Sequence, residues 1–216
     1  SRRSGGAARL VLVLPGALFL AAFLASNVHL RPSGVQFTLA DDAMISMTYA
    51  RTFATTGELV WFPGAGRVQG FTNPLWTLYM AGLHGIGLAG PWASLMVSLT
   101  GVAAVLGCGV LASRLVSRLL TGWTHAPVAS AVAGGSVLLL YPLVFWALRG
   151  MEVGVLALLA LILITLAAAT LRAWVDGRSP TRLLAGAGAA AVVGITIRFD
   201  FLTVAAVVLG LLAWWA

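Results

Sequence analysis

The sequence predicts an all-α, polytopic transmembrane helical bundle, and three observations carry that expectation. Of its 216 residues 60% are hydrophobic and only 9% are charged, whereas a soluble domain carries roughly a quarter charged residues. Mean hydropathy is +0.99. Apolar runs recur at about Leu10–Ala25, Leu75–Leu88, Trp92–Ala112, Val128–Leu148, Val153–Leu171, Leu183–Ile197 and Phe201–Ala216. Every basic side chain is an arginine, and the arginines cluster in the short stretches between runs. In a soluble protein a pI near 11.3 would point to nucleic acid. Arginines confined to gaps between apolar runs act instead as topology signals, so the expected partner is the lipid bilayer and not nucleic acid.

A helix spans the roughly 30 Å hydrocarbon layer with about 17–25 apolar residues. The first run, preceded by Arg2, Arg3 and Arg9, reads as a retained signal anchor because further spans follow it. It gives a first transmembrane helix over residues 10–27 with a cytoplasmic N-terminus. Residues 28–74 then form a long extracytoplasmic loop, and residues 75–216 the remaining transmembrane helices. Leu75–Leu88 is short for a span. Taken as re-entrant, it places Arg114, Arg118, Arg172, Arg178 and Arg182 in the cytoplasm and returns Arg149–Glu152 and Arg198–Asp200 to the side of the loop, in keeping with the positive-inside tendency. Tryptophans 76, 92, 123, 146, 174, 214 and 215 fall near run ends, as an interfacial belt would place them. The single cysteine, Cys108, excludes an internal disulfide. The chain stops inside an apolar run and reads as the N-terminal part of a longer module.

The acidic residues are Asp41, Asp42, Glu58, Glu152, Asp176 and Asp200. Three lie in the first loop and two at breaks between apolar runs; carboxylates at or near membrane depth are costly and mark functional or paired sites. Asp41 and Asp42 head a segment in which Met44, Ile45, Thr48, Tyr49, Thr52 and Phe53 recur at helical spacing. That stripe predicts an amphipathic juxtamembrane helix lying apolar face down on the membrane, with Thr38 and Asp41 forming a capping box. Near a helix N-terminus the dipole favours negative charge, so either aspartate could serve as a base or a metal ligand. The same spacing equally serves a capped surface helix with solvated aspartates. The Gly- and Pro-rich stretch from Gly57 to Trp76 predicts turns. Its aromatics interleave with Arg67, Gln69, Thr72 and Asn73, a composition that suits a sugar- and phosphate-binding wall or an ordinary interfacial loop. Gly134-Gly135 and the Ala/Gly series at Ala185–Ala191 predict close helix packing.

In order along the chain stand Asp-Asp-Ala at a helix head, Tyr-Ala-Arg, Gly-x-Leu-Val-Trp, Pro-Gly, Arg-Val and Gly-Phe-Thr-Asn-Pro-Leu-Trp. This order resembles the first extracytoplasmic loop of the GT-C-fold integral membrane glycosyltransferases, above all the actinobacterial branch of terminal arabinofuranosyltransferases. Arg149-Gly150-Met151-Glu152 resembles that branch's Ser-Gly-Met/Leu-Glu element, and Arg198-Phe199-Asp200 its Arg-Pro-Glu/Asp element. The resemblance implies a GT-C-like module in the plasma (inner) membrane, multi-pass, with an extracytoplasmic active site. It implies transfer of a sugar, arabinofuranose by branch, from a polyprenyl-phosphate donor to a cell-envelope glycan or other acceptor hydroxyl. Asp41 and Asp42 fall on the acidic pair that carries the catalytic base, and a divalent cation (Mg, Mn or Ca) used by some members would rest on them. Arg51, Arg67, Gln69, Thr72, Asn73, Glu152 and Arg198 become the substrate-binding set, with Arg51, Arg67, Arg149 and Arg198 the arginines available to the departing phosphate. Three positions depart from the family pattern: Thr48 where Arg is frequent, Gln69 where Glu is frequent, and Phe199 in place of Pro. A different class, a transporter or lipid flippase, would also concentrate acids at helix breaks, and the Thr48 and Gln69 departures equally suit a non-catalytic subunit of a glycosyltransferase complex.

Overall fold

The computed structural model of the protein describes residues 2–32, 34–88 and 90–215, with side chains from Leu14 onward. The side chains of Arg2, Arg3 and Arg9 lie outside the described residues. The chain is mostly helical: α1 (Arg2–Ser26), a hairpin of β1 (Val28–Arg31) and β2 (Gly34–Phe37), α2 (Asp41–Thr56), α3 (Pro74–Gly85), α4 (Pro91–Leu119), α5 (Ala126–Leu138), α6 (Tyr141–Leu148), α7 (Val153–Val175), α8 (Thr181–Ile197) and α9 (Phe201–Trp215).

Two helices, α4 and α7, are long and apolar enough to cross a membrane, and a third span arises if α5 and α6 count as one. The run Val128–Leu148 is not one helix. It bends by 48° between α5 and α6, where Pro142 stands in the first turn of α6. Proline lacks an N–H and its ring crowds the carbonyl four residues back, so a helix arriving from α5 cannot continue through it. The short run is a short helix: α3 has 12 residues, about 18 Å of rise, less than a hydrocarbon layer.

The first loop is not simply loop. β1 and β2 form an antiparallel hairpin pairing Val28 with Phe37 and Arg31 with Gly34, a strand element absent from the all-α expectation. Its open end is tied to α1 and α6 through Asn27, which is fully buried: the Asn27 backbone oxygen accepts from the Thr38 N–H at 2.9 Å, its N–H donates to the Leu24 carbonyl at 3.1 Å, and its Nδ2 donates to the Leu148 carbonyl at 3.2 Å.

Small residues set the helix crossings. A Cβ on Gly101 of α4 would stand 2.1 Å from the Ala147 carbonyl oxygen of α6, and one on Gly134 of α5 would stand 2.9 Å from the Gly109 oxygen of α4. Ala187 and Ala191 of α8 pack with Leu163 of α7 and with Phe201 and Ala205 of α9. Close approach of this kind gives apolar helices van der Waals adhesion, and the expected close packing at Gly134 and within Ala185–Ala191 is present.

These contacts gather the polar segments at one end of the molecule. α4 begins beside the hairpin, where Trp92 meets Phe37 with ring centroids 6.2 Å apart. The α6–α7 turn meets the start of α2, the Ala40 N–H donating to the Arg149 carbonyl at 2.7 Å. Arg198, in the α8–α9 break, reaches Glu152 in the α6–α7 turn.

Candidate functional site

The site is built from α2, the start of α3, the α6–α7 turn and the α8–α9 break. α2 opens with Asp41 and Asp42 in its first turn, after Ala40 in extended conformation, and no side chain caps it. The expected Thr38–Asp41 capping box is therefore not formed. The helix begins at Asp41 itself, so that residue cannot fill the third helical position a capping box requires. The free first-turn amides and the dipole still favour acidic side chains there, and both aspartates are exposed.

The face that α2 buries also differs from expectation. Ala43, Ser46, Met47 and Ala50 are buried together with Tyr49 and Thr52, whereas Met44 is 47% exposed. Small residues at i, i+3 and i+7 let α2 approach α3, where Ala43, Met47 and Ala50 join Trp76, Met80 and Ala81 in one core cluster. The helix packs on protein through this face.

Beneath α2 runs a chain of polar contacts. Ser46 Oγ donates to Asn73 Oδ1 at 2.9 Å, and Thr77 Oγ1 donates to the same oxygen at 3.1 Å. Asn73 Nδ2 donates to Glu152 Oε2 at 2.7 Å. Arg198 donates through one guanidinium nitrogen to Glu152 Oε1 at 2.9 Å and through Nε to Asp200 Oδ2 at 2.9 Å. Glu152 is fully buried, Asn73 is 3% exposed, and the Arg198 side chain is 34% exposed. A buried carboxylate persists only with a paired charge and hydrogen bonds to its remaining lone pairs, and Glu152 has both. The hydrogen bond to Glu152, aided by the charges of Asp200 and Glu152 against the opposing effect of burial, holds the Arg198 guanidinium above its ordinary range.

Gly150 makes this turn possible. Its φ is +90°, and a Cβ there would meet Leu39 Cδ2 at 2.9 Å and Ala43 Cβ at 3.2 Å, so α2 seats directly on the glycine. Trp76 adds a second tie, its Nε1–H donating to the Gly150 carbonyl at 2.9 Å. Trp76 is 4% exposed and anchors the site instead of joining an interfacial belt. Arg149, half-buried, lays its guanidinium 5.9 Å from the Phe23 ring centroid and 5.8 Å from that of Phe145, an arrangement that favours the cation.

The Gly/Pro-rich stretch is stapled to α2 by Tyr49. Its hydroxyl donates to the Val68 carbonyl at 2.8 Å, and its ring meets Trp61 and Phe71 at centroid distances of 5.6 and 5.0 Å. Both aromatics thus pack on Tyr49 by one edge, while Trp61 stays 44% exposed. Arg67, Gln69 and Phe71 line a cleft of about 540 Å³ with Glu58, and Thr72 is exposed beside it in sequence.

Of the expected substrate-binding residues, Asn73 and Glu152 are enclosed and spend their polar atoms on each other and on Ser46, Thr77 and Arg198. Arg198 stands at a groove of about 530 Å³ lined by Val153, Leu156, Ala157, Ala160, Phe201 and Val204, with Asp200. Arg51 lines a different cleft, on another face of α2. Asp41 and Asp42 have no third ligand in reach: among the described residues no cluster of three or more His, Cys, Asp or Glu is found. Ser46, Asn27 and Trp76 were not legible as site residues, because a lone Ser, Asn or Trp in an apolar sequence carries no spacing signal. No protein-family model, curated protein or solved structure matches this chain.

Proposed function

We propose that the chain is part of a GT-C-like glycosyltransferase that moves a sugar from a polyprenyl-phosphate donor to an acceptor hydroxyl on the extracytoplasmic face of the plasma membrane. Asp41 or Asp42 acts as the base, removing the hydroxyl proton as that oxygen attacks the anomeric carbon; the bond from that carbon to phosphate breaks and polyprenyl phosphate departs. Arabinofuranose is the sugar, and a cell-envelope glycan the acceptor, that the sequence resemblance favours.

One observation carries the reading. The three separated sequence elements of the resemblance meet at one end of the fold, through Ala40 on Arg149 and through Asn73–Glu152–Arg198. Exposure of both aspartates beside an enclosed, hydrogen-bonded support is what a base needs to reach an acceptor within hydrogen-bond distance. The apolar groove ending at Arg198 suits an isoprenoid tail with a cation near its phosphate. Where a divalent cation takes part, Asp41 and Asp42 would hold it together with substrate phosphate oxygens, since Mg²⁺ is commonly bound by one or two carboxylates plus phosphate.

The test is the single substitutions Asp41→Asn and Asp42→Asn, assayed for transfer from a polyprenyl-phosphate donor in liposomes. Transfer should collapse in at least one variant. Full transfer in both would remove the catalytic assignment, and donor-independent flux of substrate across the bilayer would favour a transporter instead.

A further inference from the structure

A cleft of about 330 Å³ opens between β2, α2, the end of α3 and the start of α4. Polar groups reach it from every side: Gln36 from β2, Thr48 and Arg51 from α2, His84 from α3 and Ser94 from α4. No carboxylate lines it. The 29-residue helix α4 starts here, with Gly90 and Pro91 in the wall, so its first-turn amides and the positive end of its dipole lie at the cleft. Ser94, in that first turn and 8% exposed, makes no side-chain hydrogen bond among the described residues.

His84 is the second cation-capable group. Burial, and then the neighbouring charge of Arg51, push its imidazole below the ordinary value of 6.5. Its Nε2 has no better partner than the Met47 sulfur at 3.1 Å, a weak one. A guanidinium, a half-buried imidazole, a helix N-terminus and a nearly buried hydroxyl make a cavity that lacks only negative charge.

We propose that this cleft binds a phosphate-class oxyanion, with Arg51 as its principal ligand and His84, Ser94 and the α4 N-terminus completing the shell. An anion in the cleft offsets the charge of Arg51 and sets its own beside the imidazole, both of which favour a proton on His84, so binding and protonation reinforce each other. The other groups facing His84 are Met47 from α2, the Leu88 backbone on its own segment, and the uncharged Gln36 and Ser94. The cleft opens on a different face of α2 from the Ser46–Asn73–Glu152 chain, and the proposal does not depend on the transfer reaction. Its mixed lining, with Phe37, Met44 and Pro91, accommodates either free phosphate or a lipid phosphate headgroup.

The test is nuclear magnetic resonance of histidine-labelled full chain, in which His29 and His125 serve as internal references. Inorganic phosphate is titrated into protein in nanodiscs of zwitterionic lipid, and separately the nanodisc lipid is changed to one containing phosphatidylglycerol. The expected result is that one of these additions shifts the His84 resonances and raises its titration midpoint while His29 and His125 stay put. Arg51→Gln should weaken that response about tenfold or more, the worth of one charge-assisted hydrogen bond. A response to phosphate assigns a soluble ligand, and a response to phosphatidylglycerol alone assigns a headgroup. Silence of His84 to both additions, or an undiminished response in a folded Arg51→Gln variant, overturns the proposal.

Discussion

Two acidic regions of this molecule lie close together and live under opposite conditions. Asp41 and Asp42 stand exposed in the first turn of α2, with no side-chain cap and, among the described residues, no salt-bridge partner. Glu152 is fully buried, and both its oxygens are occupied, by Asn73 and by Arg198. The same functional group is thus available for chemistry in one place and committed to architecture in the other. What separates them is desolvation: a carboxylate in water needs no partner, whereas one taken out of water must find both a charge and hydrogen bonds.

Substitution of each region sharpens or breaks that division. The largest effect belongs to the exposed pair. On the proposed reading, Asp41→Asn or Asp42→Asn should lower transfer by about 10²- to 10⁴-fold while leaving unfolding within about 0.5 kcal/mol, as at other exposed positions. A variant that lost transfer because it unfolded would erase the distinction.

Next comes the brace. Arg198→Ala leaves Glu152 buried without its cation and should cost about 3 kcal/mol. That is the low end for a broken buried pair, because Arg198 is itself one-third exposed; denaturant unfolding in micelles measures it. Asp200→Asn, at a side chain 64% exposed, should cost under about 1 kcal/mol. Equal losses from the two would mean that Glu152 is not the hub. Gly150→Ala forces a side chain into a positive φ and against Leu39 and Ala43, for about 1–3 kcal/mol. Trp76→Phe removes the donor to the Gly150 carbonyl, for about 1 kcal/mol.

The smallest effect is one of pH. His84 has its pKa lowered by burial and by Arg51, so the unfolded chain binds the proton more readily than the folded one. The contribution to stability is fully present above the ordinary value near 6.5 and is lost as pH falls through the lower folded value. Thermal unfolding of the phosphate-free protein should therefore show a modest acid-side decline that His84→Gln abolishes.

Much of the fold was legible in advance. The positions of α1, α4, α7, α8 and α9 follow from runs of apolar residues, and the shortness of α3 from the length of its run. The break between α5 and α6 was not anticipated, although Pro142 announces it, because an unbroken apolar run masks a single helix-breaking residue. The hairpin was missed because four-residue strands carry too little alternation to register. At the site, the acidic pair, Arg67, Gln69, Asn73, Glu152 and Arg198 were all singled out, yet their division into exposed and enclosed groups was not.

By itself the sequence determined that the chain is mostly helical and rich in apolar helices compatible with a bilayer, and that its scarce carboxylates gather at a helix head and at helix breaks. Those are local and compositional facts, set by hydropathy, by proline and by the free amides of a first turn. Only the tertiary structure decided that Asn73, Glu152 and Arg198, 79 and 46 residues apart in successive steps, form one chain of contacts. It likewise decided that α2 buries its small-residue face, that Trp76 is an anchor, and that Arg51 and His84 share a cleft. Burial and pairing depend on which helices approach one another. Here that approach is set by glycines and alanines, whose contribution is the room they leave and not a pattern they display.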